Sequence, residues 1–597
     1  MAKKRQEFES VYKWNVKDLY KSDEEFLKEL ELLDKEIEKI KEYQGKILKS
    51  SKYLLDLLKL DTNISRRIEK AYIYAHINND ADTLDTNYQE LYGKIVNVYT
   101  KYLELSSYIV PELLESDYSI IEKYIKEEKE LEEYERMLKH IFREKEHILS
   151  KEVEGVLSSL SKVMSNSEEI FEALTDSDFK YDDIEVDGKK VELTESNYSV
   201  YLRSTDRKTR KQAFDSLYKT YGEFKNTIAK TLKGEVEKNT VNAKLRKFNS
   251  SLEASLFNNE IDKKVYTNLI ETVHKNMDSI YKYWDLKKKK LNLEEFHIYD
   301  TYADIETNDN KKYSFKEARD LVLKIVEPLG SNYQKDLSKA FTEGWIDSCN
   351  NKGKRGGAYC TACYDVHPYV LLSFEGMLND VSTLAHELGH AMHYYYACKN
   401  QKYQDYGYSI FVAEVASQVN EILLCRYLLD NSETNSEKLK IIDDLLQKFK
   451  STIFRQTMFA EFELFIHEYT EKGGVLTSEI LCNKYYELNE LYFGKNVIID
   501  DYIKYEWERI PHFYMNFYVY QYATGFAASV KLANDIYDGN KDIRDKYLEF
   551  LKLGCTKNPI DSLKVAGIDM TSNEVLDDSI EFMDKLLEEY EKLQGSD

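Results

Sequence analysis

In EEFLKELELLDKEIEKIKEY, residues 24–43, apolar side chains return every three or four positions with charges between them, the repeat of a helix that buries one face. VYTNLIETVHKNMDSIYKYW, residues 265–284, follows the same rule. Prolines stand only at 111, 328, 368, 511 and 559, so long helices can run unbroken through the wide interval between the first two. Two segments leave this repeat. FKYDDIEVDGKKVELT (179–194) sets β-favouring residues on both sides of Asp187-Gly188, the signal of a two-residue hairpin. GKRGGAYCTACYDVHPYVLLSF (353–374) places a glycine cluster ahead of an apolar, β-prone run, and reads as a loop and strand leading into the segment after it. The pattern predicts a mainly α protein with an N-terminal helical domain, 1–195, ending in the hairpin, followed by a second helical domain, 196–597.

Composition narrows the function classes. A formal net charge of -23 over 597 residues argues against a nucleic-acid or anionic-membrane surface, because both partners would be repelled at long range. The opening MAKKRQEFESVYKWNVKDLY has no apolar core behind its basic residues, and no stretch of about 18 apolar residues occurs, so neither a secretory signal nor a membrane span is expected. Seven cysteines, spread from Cys349 to Cys555, do not form a disulfide framework in a chain of this length. A cytoplasmic location is therefore expected. Cys360-Thr-Ala-Cys363 has redox spacing, but without a thioredoxin-like setting it reads as two ordinary thiols.

Chemistry concentrates in HELGHAMH, residues 386–393, which holds three of the eleven histidines. His386 and His390 are four residues apart, so on a helix their rings project from one face and can converge on one metal ion. Glu387 points into the same space without having to ligate. This is the HExxH arrangement, in which two imidazoles hold zinc and the glutamate takes a proton from the zinc-bound water as it attacks a carbonyl. At this histidine content a chance match is expected about two times in a hundred. His393 lies about 10.5 Å along the helix axis from His386, too far for the same ion, and reads as a helix-face or substrate-side residue, with a structural role favoured.

A further ligand is needed downstream. The extended metzincin pattern fails, since His393 and Tyr396 stand where glycine and histidine are required. The first carboxylate in a helical context is Glu414, in SIFVAEVASQVNEILLCRYLL, where Glu414, Gln418 and Glu421 share a face beside apolar residues. Buried acids need a partner, and a metal site would provide one. Glu414 is thus the candidate ligand, and Glu421 could hydrogen-bond a ligand histidine from behind.

HELGH followed by Glu414 in EVASQ resembles the thimet-oligopeptidase-like metallopeptidases, specifically their oligoendopeptidase F branch. The likeness extends to GKRGGAY (353–359), NYSVYLRSTDRKTRKQAFDSLYKTY (197–221) and IPHFYMNFYVYQYATG (510–525), and covers roughly residues 115 to 585. The resemblance implies a large two-lobed helical peptidase fold around a deep channel, with a small β-sheet near the zinc. It also implies one Zn2+ per chain held by His386, His390 and Glu414, with Glu387 as general base. His512, Tyr518 and Tyr522 would face the reacting carbonyl; Tyr518 and Tyr522 are spaced as neighbours on one helical turn. Gly525 stands where the thimet branch leads one to expect a third tyrosine. The expected activity is hydrolysis of internal bonds in short peptides, with the apolar run Val370 to Phe374 offering a strand edge to the substrate. The rival reading is a non-catalytic helical peptide-binding protein with a structural zinc. Such a site would be closed by four protein ligands and would have no need of Glu387.

Overall fold

The computed structural model describes residues 3–306 and 311–594, and helices dominate it. Ser22 caps the helix Asp23–Ile37, which buries Phe26, Leu30, Leu33 and Ile37 at the predicted spacing. Its α geometry ends earlier than the pattern suggests, and Glu38–Tyr43 continues as a 3₁₀ turn. The 265–284 pattern likewise falls on two helices, Lys263–Lys275 and Met277–Lys290. Asn276 breaks them: its amide donates back to the Thr272 carbonyl at 2.9 Å and to Asp577 at 2.8 Å, so it competes with the helical ladder. The long helices include α1 (Ser51–Ala81), α2 (Arg207–Leu245), α3 (Leu378–Asn400) and α4 (Ile410–Asn431). At 39 residues, α2 is a long unbroken helix within the proline-free interval.

The hairpin forms as read. Strands β1 (Ile184–Val186) and β2 (Lys189–Val191) pair antiparallel around Asp187 and Gly188, which take φ of 50° and 75°, the left-handed pair that a tight hairpin requires.

By contacts the chain gathers into two compact units of three stretches each. The first comprises Met1–Glu146, Asn310–Tyr427 and Leu532–Ile568; the second comprises His147–Asp309, Leu428–Lys531 and Asp569–Asp597.

In the first unit, β3 (Ile346–Asp347), β4 (Tyr359–Thr361) and β5 (Tyr369–Leu371) form a sheet in the order β3-β5-β4. The expectation that Val370 to Phe374 offers a free edge is therefore corrected. Strand β5 is central, parallel to β3 and antiparallel to β4, and its three residues are fully buried. Leu372 and Phe374 extend this pairing by donating to the Asp347 and Ser348 carbonyls at 3.0 and 3.4 Å. A continuous apolar run is what a doubly covered strand needs, whereas the edge falls to the more polar β4. The Val370 amide donates to the Trp345 carbonyl of the β3 side, so Tyr369 and Leu371 pair with β4. By alternation, the N–H and C=O of Cys360 point away from the sheet.

The glycine-rich loop before β4 is tied down by charge. The buried Lys354 ammonium lies within 3.0 Å of Asp347 Oδ1 and the carbonyls of Asp347, Cys349 and Leu372. Arg355 and Tyr359 both reach Asp80 near the end of α1. Strands β4 and β5 in turn lie against α3.

Helix α3 comes closest to α4 at Gly389, where a side chain is missing. A Cβ built on Gly389 would lie 2.5 Å from both the Ala416 carbonyl oxygen and Ser417 Cα, which are backbone atoms that cannot rotate aside. The buried Asn420 amide locks the crossing by donating to the Ala385 carbonyl at 2.9 Å. Gly389→Ala is expected to cost about 1–3 kcal/mol of stability through overpacking and to weaken metal retention. Urea denaturation and metal content after dialysis read the two effects; no change in either would mean that the helices separate freely.

Candidate active site

All three candidate ligands belong to the first unit. His386 and His390 sit one turn apart on α3, their ring centroids 4.9 Å apart. Glu414 enters from α4, with its Oε2 3.4 Å from His386 Nε2 and 3.7 Å from His390 Nε2. One donor atom from each residue can be chosen so that all lie within 4.8 Å of one another. The Ser417 hydroxyl donates to Glu414 Oε2 at 3.0 Å and steadies it.

Behind this set, Glu421 Oε1 lies 2.5 Å from His386 Nδ1. A carboxylate there favours the tautomer with the proton on Nδ1, which leaves Nε2 with a free lone pair on the side of Glu414. Burial lowers the His386 pKa, but the Glu421 hydrogen bond and charge, aided by Glu387 and Glu414, outweigh it and raise the group above its ordinary value. Burial and the neighbouring His386 push His390 down to about 4, so it is a neutral imidazole at physiological pH. The donor set fits a divalent cation: two imidazoles and a carboxylate converge, and two more carboxylates nearby leave the cluster with excess negative charge.

Glu387 is 6% exposed and is not part of the converging set. Burial pushes its carboxyl up to about 7, with His386 pulling it down and Glu414 and Glu421 pushing it further up. A group poised near neutrality suits both taking and returning a proton.

His393 is a core residue, so the structural reading stands and the substrate-side one is corrected. It is 1% exposed and stacks on Tyr408 at 3.7 Å between ring centroids, and burial pushes its pKa down to about 3. Cys360 and Cys363 are both free, and burial raises both thiols, Cys363 to about 12, which keeps them protonated and unreactive.

The second unit holds the other three candidates as a cluster of their own. Tyr522 Oη and His512 Nε2 share a hydrogen bond at 3.3 Å, and the Tyr518 ring lies 6.3 Å from His512 and 5.4 Å from Tyr522. Burial lowers the His512 pKa, which favours the neutral ring. Tyr518 is not on the helix that carries Tyr522, contrary to the helical spacing read from sequence. That helix, α5, runs Tyr520–Tyr537, and left-handed residues at Asn516 and Phe517 separate Tyr518 from the 3₁₀ turn Pro511–Tyr514 ahead of it.

Sequence reading missed Gly389 and Asn420, which set the approach of α3 to α4. The glycine inside a helical motif was a legible signal of close backbone contact; nothing in the sequence marks Asn420 as different from other helical asparagines.

Two histidines and a glutamate held on crossing helices, beside a buried acid that stays out of the ligand set, define a metal-dependent hydrolase. The chain matches Peptidase family M3 over residues 200–582 and Oligopeptidase F over residues 112–181. It is 41% identical to Oligopeptidase PepF of Bacillus subtilis over 99% of this chain and 88% of that protein, and 38% identical to Group B oligopeptidase PepB of Streptococcus agalactiae over 99% of both. Among solved structures it superposes on oligoendopeptidase-F from Enterococcus faecium with a TM-score of 0.74 at 33% identity, covering 96% of this chain and 100% of that one. A peptidase from Chlamydophila abortus gives 0.94 at 35% identity, covering 99% and 100%. The chain belongs to peptidase family M3, in its oligoendopeptidase F branch, and is a metallo-oligopeptidase.

Glu421→Ala is expected to weaken metal affinity about 10- to 100-fold, the usual loss when the partner of a ligand histidine is removed. Competition with a chelator of known affinity measures it, and an unchanged affinity would strip Glu421 of its orienting role.

Proposed function

We propose that the chain is a zinc-dependent endopeptidase that hydrolyses internal bonds of short oligopeptides in the cytoplasm, with one Zn2+ per chain. The observation that carries this reading is the convergence of His386, His390 and Glu414 around a common point with the buried Glu387 beside them and outside the set. That the relatives are themselves named as oligopeptidases supports it. Zinc bound there would polarise the substrate carbonyl and make water more acidic.

The chain's own residues do the rest. His386, His390 and Glu414 hold the ion, and Glu421 fixes the first imidazole. Glu387 accepts a proton from the attacking water on its carboxylate and delivers it to the departing amine nitrogen, which must be protonated to leave. His512, Tyr518 and Tyr522 donate hydrogen bonds to the carbonyl oxygen as negative charge develops on it. The outward-facing N–H and C=O of Cys360 on β4 would pair with an extended peptide, so that affinity comes mainly from the backbone and side-chain selectivity is modest. The division at residue 195 belongs to the same reading as a boundary in the sequence, falling in the gap between the two family matches, 181 to 200; it is not the division between the two compact units.

Substitutions separate the roles. His386→Ala, His390→Ala and Glu414→Ala are expected to lose metal and activity together. Glu387→Gln should keep the metal and lose turnover by about 10²–10⁴-fold, the range for a general base. Metal analysis alongside peptide cleavage decides: near-normal hydrolysis in Glu387→Gln would end the proton-transfer assignment. Tyr518→Phe or Tyr522→Phe should lower kcat by about 10²-fold with a smaller effect on KM.

A further inference from the structure

Asn516 and Phe517 take consecutive left-handed backbone conformations, φ 46° and 60°. Asparagine tolerates this region, but phenylalanine brings its Cβ against the following carbonyl and seldom does. Such a pair persists only where the surroundings hold it. Three contacts within the second unit do so. The Phe517 amide donates to Glu463 Oε1 at 2.6 Å. The Ser255 hydroxyl donates to the Asn516 carbonyl at 2.9 Å. The buried Phe517 ring packs on Tyr266 and His467, at centroid distances of 5.7 and 4.4 Å.

Glu463 is the unusual member. It is fully buried on the helix Arg455–Glu471, among apolar residues and aromatic rings, where an apolar side chain would pack at lower cost. Burial pushes its carboxyl up to about 8, opposed by the Phe517 hydrogen bond, so at neutral pH it is mostly a neutral acceptor. The turn it grips lies between the segment carrying His512 and the helix carrying Tyr522, and the residue leaving that turn is Tyr518.

We propose that Glu463 is a positioning residue: by accepting the Phe517 amide it fixes the strained turn and so sets where the Tyr518 hydroxyl stands. The proposal rests on the reading of Tyr518 as a donor to the reacting carbonyl. Leucine at 463 keeps the volume and removes the acceptor, whereas glutamine keeps both volume and acceptor.

The test uses the zinc-loaded full chain and a short internally quenched peptide. Glu463→Leu is expected to lower kcat roughly tenfold through misplacement of one group, with KM and zinc content little changed. Glu463→Gln should restore kcat to near the parent value. In a Tyr518→Phe background, Glu463→Leu should add almost nothing, because the hydroxyl it positions is already gone. A loss in Glu463→Gln as deep as in Glu463→Leu, or a full loss persisting in the Tyr518→Phe background, would overturn the proposal. Should Glu463→Leu not fold, Ser255→Ala takes its place: a lowered kcat at unchanged KM supports the positioning role and an unchanged kcat overturns it. If Tyr518→Phe alone leaves kcat unchanged, Tyr518 itself is misassigned and the positioning role falls with it; a Tyr518→Phe loss uncoupled from Glu463 removes the positioning role alone.

Discussion

The candidate metal centre depends on how closely two helices can approach. Histidine and glutamate side chains are short, and the atoms that must converge here come from α3 and α4. Typical helix axes lie about 8–10 Å apart, a spacing set by the side chains at the contact. At Gly389 there is no side chain, and the backbone of α3 lies directly on the α4 backbone at Ala416 and Ser417. This contact brings the turn carrying His386 and His390 level with the two turns carrying Glu414 and Glu421. The Asn420 bond to the Ala385 carbonyl then keeps the helices from sliding.

The two clusters of chemistry-bearing residues are held by opposite means. The candidate ligand cluster sits on regular helix, and its precision comes from packing, from the Glu421 carboxylate behind His386 and from the Ser417 hydroxyl on Glu414. The His512–Tyr518–Tyr522 cluster sits at a break in regular structure, where backbone strain is stabilised by a buried carboxyl. Rigid helices suit groups that must keep a fixed bond length to an ion. A strained turn suits a hydroxyl aimed at an angle that no helix surface presents.

What could be read from sequence follows the range of the interactions. The helical repeat, the Asp187-Gly188 hairpin and the four-residue spacing of His386 and His390 are local, and each came through. Glu414 could be singled out because an acid on an apolar helix asks for a partner, although its side chain is only half-buried, 34% exposed. The strand edge was misjudged because sheet order is non-local: Tyr369–Leu371 reads as a strand from its composition, but nothing nearby says that Ile346–Asp347 will cover its other side. The helix break at Asn276 and the left-handed pair at Asn516 and Phe517 depend on Asp577 and Glu463, distant in sequence, so no window of the chain discloses them.

The segmented make-up of the two units bears on how the protein is synthesised. The first unit draws its last stretch from Leu532–Ile568 and the second from Asp569–Asp597. A ribosome emits the chain from one end, so neither unit can complete its packing until nearly the whole polypeptide has emerged. The core around α1 can gather largely from residues 14–138, but Cys363, Tyr369 and Leu371, which complete it, are made much later, and apolar surface left uncovered in the meantime is what chaperones bind. The same arrangement denies a simple dissection: no single cut of the gene yields either unit whole.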